Sequence, residues 1–140
     1  MSRKLPISTI LETASQFKTN QEKIQYLRQH DSSALRTVLQ YAMDPKVKWL
    51  LPEGEPPYKK NQNIDQEGML YAEARRLYLF VEGGNPNLTK LKREMLFIDL
   101  LQSVHPKDAE LLISVKEKKL PYKNYSKKLI NEAFPGLINE

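Results

Sequence analysis

The sequence contains no cysteine and only two histidines. Without cysteine there is no disulfide, no thiolate nucleophile and no cysteine-ligated metal site, as is usual for a protein of the reducing cytoplasm. His30 and His105 lie far apart in the chain, and no His-x-x-x-His spacing offers a zinc site. We therefore expect neither a metal nor a cofactor.

No constellation of catalytic residues stands out either. The acids are scattered over predicted exposed positions, and there is no glycine-rich phosphate loop, since Gly83-Gly84 follows a predicted helix instead of opening one. No apolar run approaches the roughly 20 residues of a membrane span. The basic start MSRKLPIST is not followed by the apolar stretch of a signal peptide. These absences predict a non-enzymatic, cytoplasmic protein with no membrane partner.

The sequence does contain many apolar residues at helical spacing. With 140 residues, 40% of them hydrophobic, the chain has enough material for one domain with a buried core. Because no alternating strand pattern occurs, we predict a single all-α domain over residues 1–140, a compact bundle of about six or seven helices. The predicted core includes Leu39, Leu77, Ile98, Leu112 and Phe134.

Two predicted helices in the second half of the chain carry much of the apolar surface. The first runs from about Gln66 to Glu82 and is ended by Gly83-Gly84. The second extends to about Val104, and apolar residues cover so much of it that we expect it to be the central, most buried helix. Its apolar residues are Leu91, Met95, Leu96, Phe97, Ile98, Leu100 and Leu101.

A long loop is predicted over residues 52–65, where three prolines and one glycine disfavour a helix. Within it Tyr58 stands beside Lys59 and Lys60, and such interleaving of aromatic and basic residues suits a nucleic acid. The same loop carries two glutamates. The other interpretation is therefore a mobile surface loop.

The C-terminal residues 105–138 predict a helix, a basic loop and a second short helix. Residues 116–128 contain six lysines and one acid. We expect Ser126 to cap the last helix, with Lys127 and Lys128 in its first turn, where positive charge opposes the macrodipole by roughly 0.3–1 kcal/mol each. Free N–H groups, a hydroxyl and two ammonium groups would together bind an anion. The alternative is a solvated, lysine-rich loop.

Three stretches, which together span most of the chain, resemble parts of the same kind of domain. They read ILETASQFKTNQEKIQYLRQH, SSALRTVLQYAMDPKVKWLLP and DAELLISVKEKKLPYKNYSKKLINEAFPGLI. Together they resemble the N-terminal all-helical DNA-binding domain of ATP-dependent DNA ligases, most closely that of tailed-phage (myovirus-type) ligases. The first is similar to the opening helix pair, and the second to the Leu-Leu-Lys-Arg-Val helix with its aromatic, basic turn. The third is similar to the final helix, DNA-facing turn and Trp-Pro-Gly-Leu-Ile-type ending, with Phe134 in place of the tryptophan.

Two departures from the ligase pattern limit what the resemblance implies. The sequence contains no Lys-x-Asp-Gly adenylation motif, so we expect no lysyl-adenylate and no sealing of nicks. The ligase turn Asp-Leu-x-x-Gly-x-Ser corresponds here to Lys119 through Ser126. Its glycine, which lets the backbone approach DNA, is replaced by Lys123 or Asn124 according to register. The exchanges add positive charge.

The resemblance implies a small phage protein that holds duplex DNA through backbone phosphates, without catalysis and with weak sequence specificity. The net charge of +5 agrees with an anionic partner. The alternative is a protein–protein adaptor for a host or viral replication or transcription factor, in which aromatic residues are the main contacts. The predicted DNA contacts are Lys116, Lys119, Lys123, Ser126, Lys127 and Lys128, and the predicted adaptor contacts are Trp49, Tyr58, Lys59 and Lys60.

Overall fold

The computed structural model describes residues 5–59 and 69–138. These residues form seven α-helices, one 3₁₀ segment and no strand, with a single isolated antiparallel bridge between Trp49 and Val81. The predicted all-α bundle of six or seven helices is confirmed. None of these helices is long and apolar enough to cross a membrane. The elements are α1 (Ile7–Ser15), α2 (Asn20–Gln29), α3 (Ser33–Met43), α4 (Met69–Glu73), the 3₁₀ segment (Ala74–Phe80), α5 (Lys90–Ser103), α6 (Pro106–Lys116) and α7 (Lys127–Ala133).

Hydroxyl caps fix where four of these helices begin. The side-chain oxygens of Thr19, Ser32, Thr89 and Ser126 each accept the backbone N–H three residues further on, at 3.0–3.2 Å. Each cap satisfies a donor that the first turn of a helix leaves unpaired. The sequence therefore carries a local signal for the start of α2, α3, α5 and α7.

Helix α6, and not α5, is the central helix of the bundle. It packs against α1, α3 and α5, whereas Leu91 and Met95 of α5 are 68% and 52% exposed and Ile98 is only half-buried. The expectations of a central α5 and of a core Ile98 are therefore wrong. The physical reason is that α5 carries apolar residues on more sides than its neighbours cover. The other predicted core residues are buried: Leu39, Leu77, Leu112 and Phe134.

The helix predicted over residues 66–82 is replaced by a shorter α-helix and a tighter continuation. Residues 66–68 lie outside the described residues, α4 begins at Met69, and the backbone continues as a 3₁₀ helix from Ala74. Ala74, Leu77 and Phe80 are buried. Their spacing of three residues matches the three residues per turn of a 3₁₀ helix, so the tighter winding puts all three on one side.

A buried carboxylate joins α6 to α1. Asp108, in the first turn of α6, is fully buried, and its Oδ1 accepts the backbone N–H of Ser8 at 2.9 Å. Burial raises the pKa of Asp108, and the hydrogen bonding of Ser8 and the charge of His105 oppose this effect. The folded protein therefore holds a proton on Asp108 more tightly than the unfolded chain does.

We expect Leu77→Ala to lower the free energy of unfolding by roughly 2–5 kcal/mol, because a fully buried side chain is replaced by a cavity. The control Leu91→Ala removes the same atoms from a side chain that is 68% exposed, and it should change the free energy by no more than about 0.5 kcal/mol. Urea denaturation followed by circular dichroism measures both. Equal losses would contradict the assignment of the buried faces.

Asp108→Asn tests the buried carboxylate. A carboxyl whose pKa is higher in the folded than in the unfolded state opposes folding once it ionises, so its cost appears as the pH rises above the unfolded pKa of about 3.9. Asparagine keeps an acceptor for the Ser8 N–H but does not ionise. The unfolding free energy of the variant minus that of the parent should therefore increase as the pH rises from about 4 to 7. A difference that is independent of pH would show that Asp108 does not titrate in this way.

Candidate nucleic-acid interface

The basic segment starts where α6 ends, in a turn that Lys118 closes with a left-handed backbone, φ +61°. The N–H of Lys118 donates to the backbone oxygen of Val115, and that of Lys119 to Ser114, both at 2.9 Å. This is the Schellman pattern of a helix C-terminus, in which glycine is the usual residue. A residue with a Cβ is strained in this conformation by about 1–2 kcal/mol.

The side chain of Lys118 accounts for its presence in this strained position. Its Nζ donates to the backbone oxygens of Tyr41, at 3.1 Å, and Asp44, at 2.5 Å, at the C-terminal end of α3. Hydrogen bonds from a charged donor contribute about 1.5–3 kcal/mol, which is enough to offset the strain. Burial lowers the pKa of Lys118; Asp44 opposes this, and the nearby charge of Lys127 adds to it. The ammonium therefore fastens α3 to α6, with Lys127 close by.

Lys46 joins the basic region through this same junction. Asp44 is buried and its Oδ1 accepts the N–H of Lys46 at 2.9 Å, so the chain turns directly after α3. The exposed Lys46 consequently emerges next to the place where Lys118 meets α3. The sequence alone does not mark Lys46, because no local pattern shows that α3 and α6 end at the same point.

The turn after α6 is fixed to the body of the protein by two tyrosines. The hydroxyl of Tyr125 donates to the backbone oxygen of Leu11 in α1 at 2.6 Å, and its ring lies 6.4 Å from that of Tyr122. Burial raises the pKa of both tyrosines. Asn124 adopts the left-handed conformation of this turn, φ +68°, which asparagine tolerates better than most residues. The turn is thus fixed to the protein, and the side chain of Lys123 on this turn is exposed.

Helix α7 presents Lys127 and Lys128 to solvent and buries Leu129 and Ile130. The Ser126 hydroxyl accepts the N–H of Leu129 at 3.1 Å, which confirms Ser126 as the cap. The hydroxyl satisfies one of the donors in the first turn of α7, and the anion contact at this helix start stays a prediction. Ser126, Lys127 and Lys128 are all exposed, so they remain the candidate contacts here.

Lys116 does not belong to the candidate interface. Its side chain is only 2% exposed, and its Nζ donates to the backbone oxygen of Pro52 at 2.8 Å and to Oε1 of Glu117 at 3.2 Å. The prediction that Lys116 contacts DNA is therefore corrected. Lys116 lies one helical turn after Leu112 on the buried face of α6, and its ammonium serves to hold residue 52.

The two aromatic residues among the predicted adaptor contacts are packed against the protein. Trp49 is half-buried, its Nε1 donates to the backbone oxygen of Tyr41 at 3.1 Å, and the two rings pack edge to face. Tyr58 is also half-buried, and burial raises its pKa. Lys59 is exposed, and Lys60 lies outside the described residues. Within the described part of the chain, no group of three or more acidic or histidine side chains is placed to hold a metal ion.

A family model described as a family of unknown function, DUF6433, matches residues 10–122. The match extends through α6 to the start of the turn at Tyr122, and it ends before Lys123 and α7. No curated protein and no solved structure matches the chain.

Lys116→Ala and Lys119→Ala should separate a structural lysine from an exposed one. Loss of the buried Lys116 ammonium removes the charged hydrogen bonds to Pro52 and Glu117 and should lower the free energy of unfolding by about 1–3 kcal/mol. Loss of the exposed Lys119 side chain should change it by no more than about 0.5 kcal/mol. Urea denaturation measures both. If Lys116→Ala were as stable as the parent protein, the buried hydrogen bonds of the Lys116 ammonium would not stabilise the fold.

Proposed function

The chain belongs to the DUF6433 family, whose description states no function, and we propose from the geometry of the basic segment that it binds duplex DNA and is not an enzyme. The contact region is the basic surface formed by Lys119, Lys123, Lys127 and Lys128. Each of these side chains is exposed, and each meets backbone phosphates as a point charge.

The proposal rests on two features of the basic surface. Its lysine side chains are exposed, and the backbone that carries them is fixed to the rest of the protein. Lys127 and Lys128 stand in the first turn of α7, where no acid accompanies them. None of the four lysines forms an ion pair with another described residue. Ammonium groups on a fixed backbone suit a polyanion, because the backbone loses little conformational freedom when the complex forms.

The backbone between these lysines also fits the likeness to the ligase domain. The ligase turn uses a glycine, and here Asn124 supplies the left-handed conformation at that turn. Of the two registers that the sequence leaves open, the one with Asn124 therefore keeps the backbone shape of a glycine turn. This supports approach of the turn to DNA, with Lys123 directly beside it.

Sequence specificity is expected to be weak. The basic surface consists of a turn and the first turn of a short helix, with lysines as its cations, and phosphate contacts carry no sequence information. The protein would hold duplexes of different sequence with similar affinity. Lys46, which emerges beside the α3–α6 junction, is the next candidate contact.

DNA affinity should fall steeply with salt if each of the four lysines neutralises one phosphate. The slope of log K against log salt is expected to be about −0.9 per contact, hence roughly −3 to −4 for the set. Lys127→Ala combined with Lys128→Ala should make the slope shallower by about two and weaken different duplex sequences alike. Fluorescence anisotropy with labelled duplexes over a salt series gives both quantities.

Lys107→Ala provides the control, because this exposed lysine stands at the opposite end of α6 from Lys119 and should leave the slope nearly unchanged. The double variant should remain folded, or gain slightly in stability, since it removes positive charge from a helix start. An unchanged slope in a folded double variant would remove Lys127 and Lys128 from the site. Absence of affinity in the parent protein at low salt would contradict DNA binding altogether.

A further inference from the structure

A groove of about 380 Å³ runs between residues 51–57 and α5. Its walls are mostly apolar, since Leu51, Pro56 and Pro57 line one side and Phe97 and Ile98 of α5 line the other. The groove lies outside the basic surface, and none of its lining residues belongs to that surface.

The outer wall of this groove is held in place on both sides. The N–H of Gly54 donates to Oε1 of Glu117 at 2.6 Å, and Lys116 binds the backbone oxygen of Pro52 at 2.8 Å. Further along, the N–H of Lys59 donates to Oε1 of Gln102 on α5 at 2.9 Å. Three prolines restrict the backbone between these points. A wall that is already ordered loses little entropy when a ligand binds.

The apolar lining continues along α5 beyond the groove. Leu91, Met95 and Ile98 follow one another at spacings of four and three residues, so they share a face of the helix. The bond from Lys59 to Gln102 holds residues 51–59 against the C-terminal part of that face. Its N-terminal part stays open, with Leu91 and Met95 68% and 52% exposed.

The charge around the groove is opposite to that of the whole chain. Glu53, Glu55 and Glu94 line it, and none of the three forms an ion pair within residues 5–59 and 69–138. The lining cation is Lys116, whose ammonium is buried and bonded. A local acidic rim on a protein with a net charge of +5 disfavours DNA here and favours a cationic ligand.

We propose that this groove and the adjoining face of α5 are a docking site for a basic amphipathic peptide segment of a partner protein. Apolar side chains of the segment enter the groove and cover Leu91 and Met95, and its lysines or arginines meet Glu53, Glu55 and Glu94. An amphipathic helix in a hydrophobic groove is a common form of peptide recognition. The site is distinct from the predicted adaptor contacts at Trp49 and Tyr58.

Two designed, fluorescein-labelled amphipathic peptides test the proposal by fluorescence anisotropy. One consists of leucine and lysine, and the other has every lysine replaced by glutamate. The leucine–lysine peptide should bind saturably with one peptide per chain, and the leucine–glutamate peptide should not. Since the protein is basic overall, unspecific charge attraction would produce the reverse order.

Variants then locate the binding site. Met95→Asp and Glu94→Lys should each weaken binding of the leucine–lysine peptide by about tenfold or more, a factor typical of a central contact. Glu12→Lys makes the same charge change at an exposed position of α1 and should leave the affinity within about twofold. Leu91→Asp, at the most exposed position of the face, provides a second apolar variant if Met95→Asp disturbs folding.

Three results would overturn the proposal. The first is failure of the leucine–lysine peptide to bind, and the second is equal binding of both peptides. The third is concentration-dependent dimerisation in sedimentation equilibrium that Met95→Asp abolishes, because a second copy of the chain would then occupy the face. DNA affinity measured on the same variants should stay at the parent value, so the outcome here is independent of the basic surface.

Discussion

Two neighbouring ammonium groups at the C-terminal end of α6 hold the surrounding structure together. Lys116 binds the backbone oxygen of Pro52 and Lys118 binds those of Tyr41 and Asp44. A buried ammonium group is costly unless oxygens surround it, so the two lysines and these carbonyl groups stabilise one another. The central helix is thereby fastened to the end of α3 and to the segment after Leu51.

The local features of this fold could be predicted from the sequence. Hydroxyl residues mark four helix starts, and helical spacing identifies Leu39, Leu77 and Leu112 as core residues. The same spacing also selected Ile98, which is only half-buried. The tightening from α4 to the 3₁₀ segment was not predicted, although the buried residues are spaced by three. Both windings place the same apolar residues on one side, so the pattern distinguishes them poorly.

The candidate site could be predicted only in part from the sequence, because the burial of a lysine depends on which residues of other elements pack against it. Lys116 and Lys119 look alike in the sequence, yet one is buried in a clamp and the other is exposed. Helical geometry offered one signal, since Lys116 falls one turn after Leu112 on the buried face. No comparable signal existed for Lys46, whose place depends on the meeting of two helix ends that are distant in sequence.

The two surfaces with opposite charge share the end of α6 as their common support. Lys118 and the turn that follows it carry the basic surface, whereas Lys116 and Glu117 hold residues 52–54 as a wall of the acidic groove. Both depend on the same helix end, but their charges are opposite in sign. A polyanion is attracted to the first and repelled by the second, and the converse holds for a basic peptide.

Three features of this chain depart from what local stability favours. Lys118 is in a strained backbone conformation, Lys127 and Lys128 oppose the macrodipole of α7, and Leu91 and Met95 leave apolar surface in water. The hydrogen bonds of the Lys118 ammonium offset its strain inside the protein, so that departure is structural. The other two have no such compensation among the described residues. Local choices that disagree with stability and remain uncompensated are expected at functional sites, and these two coincide with the basic surface and with the open face of α5.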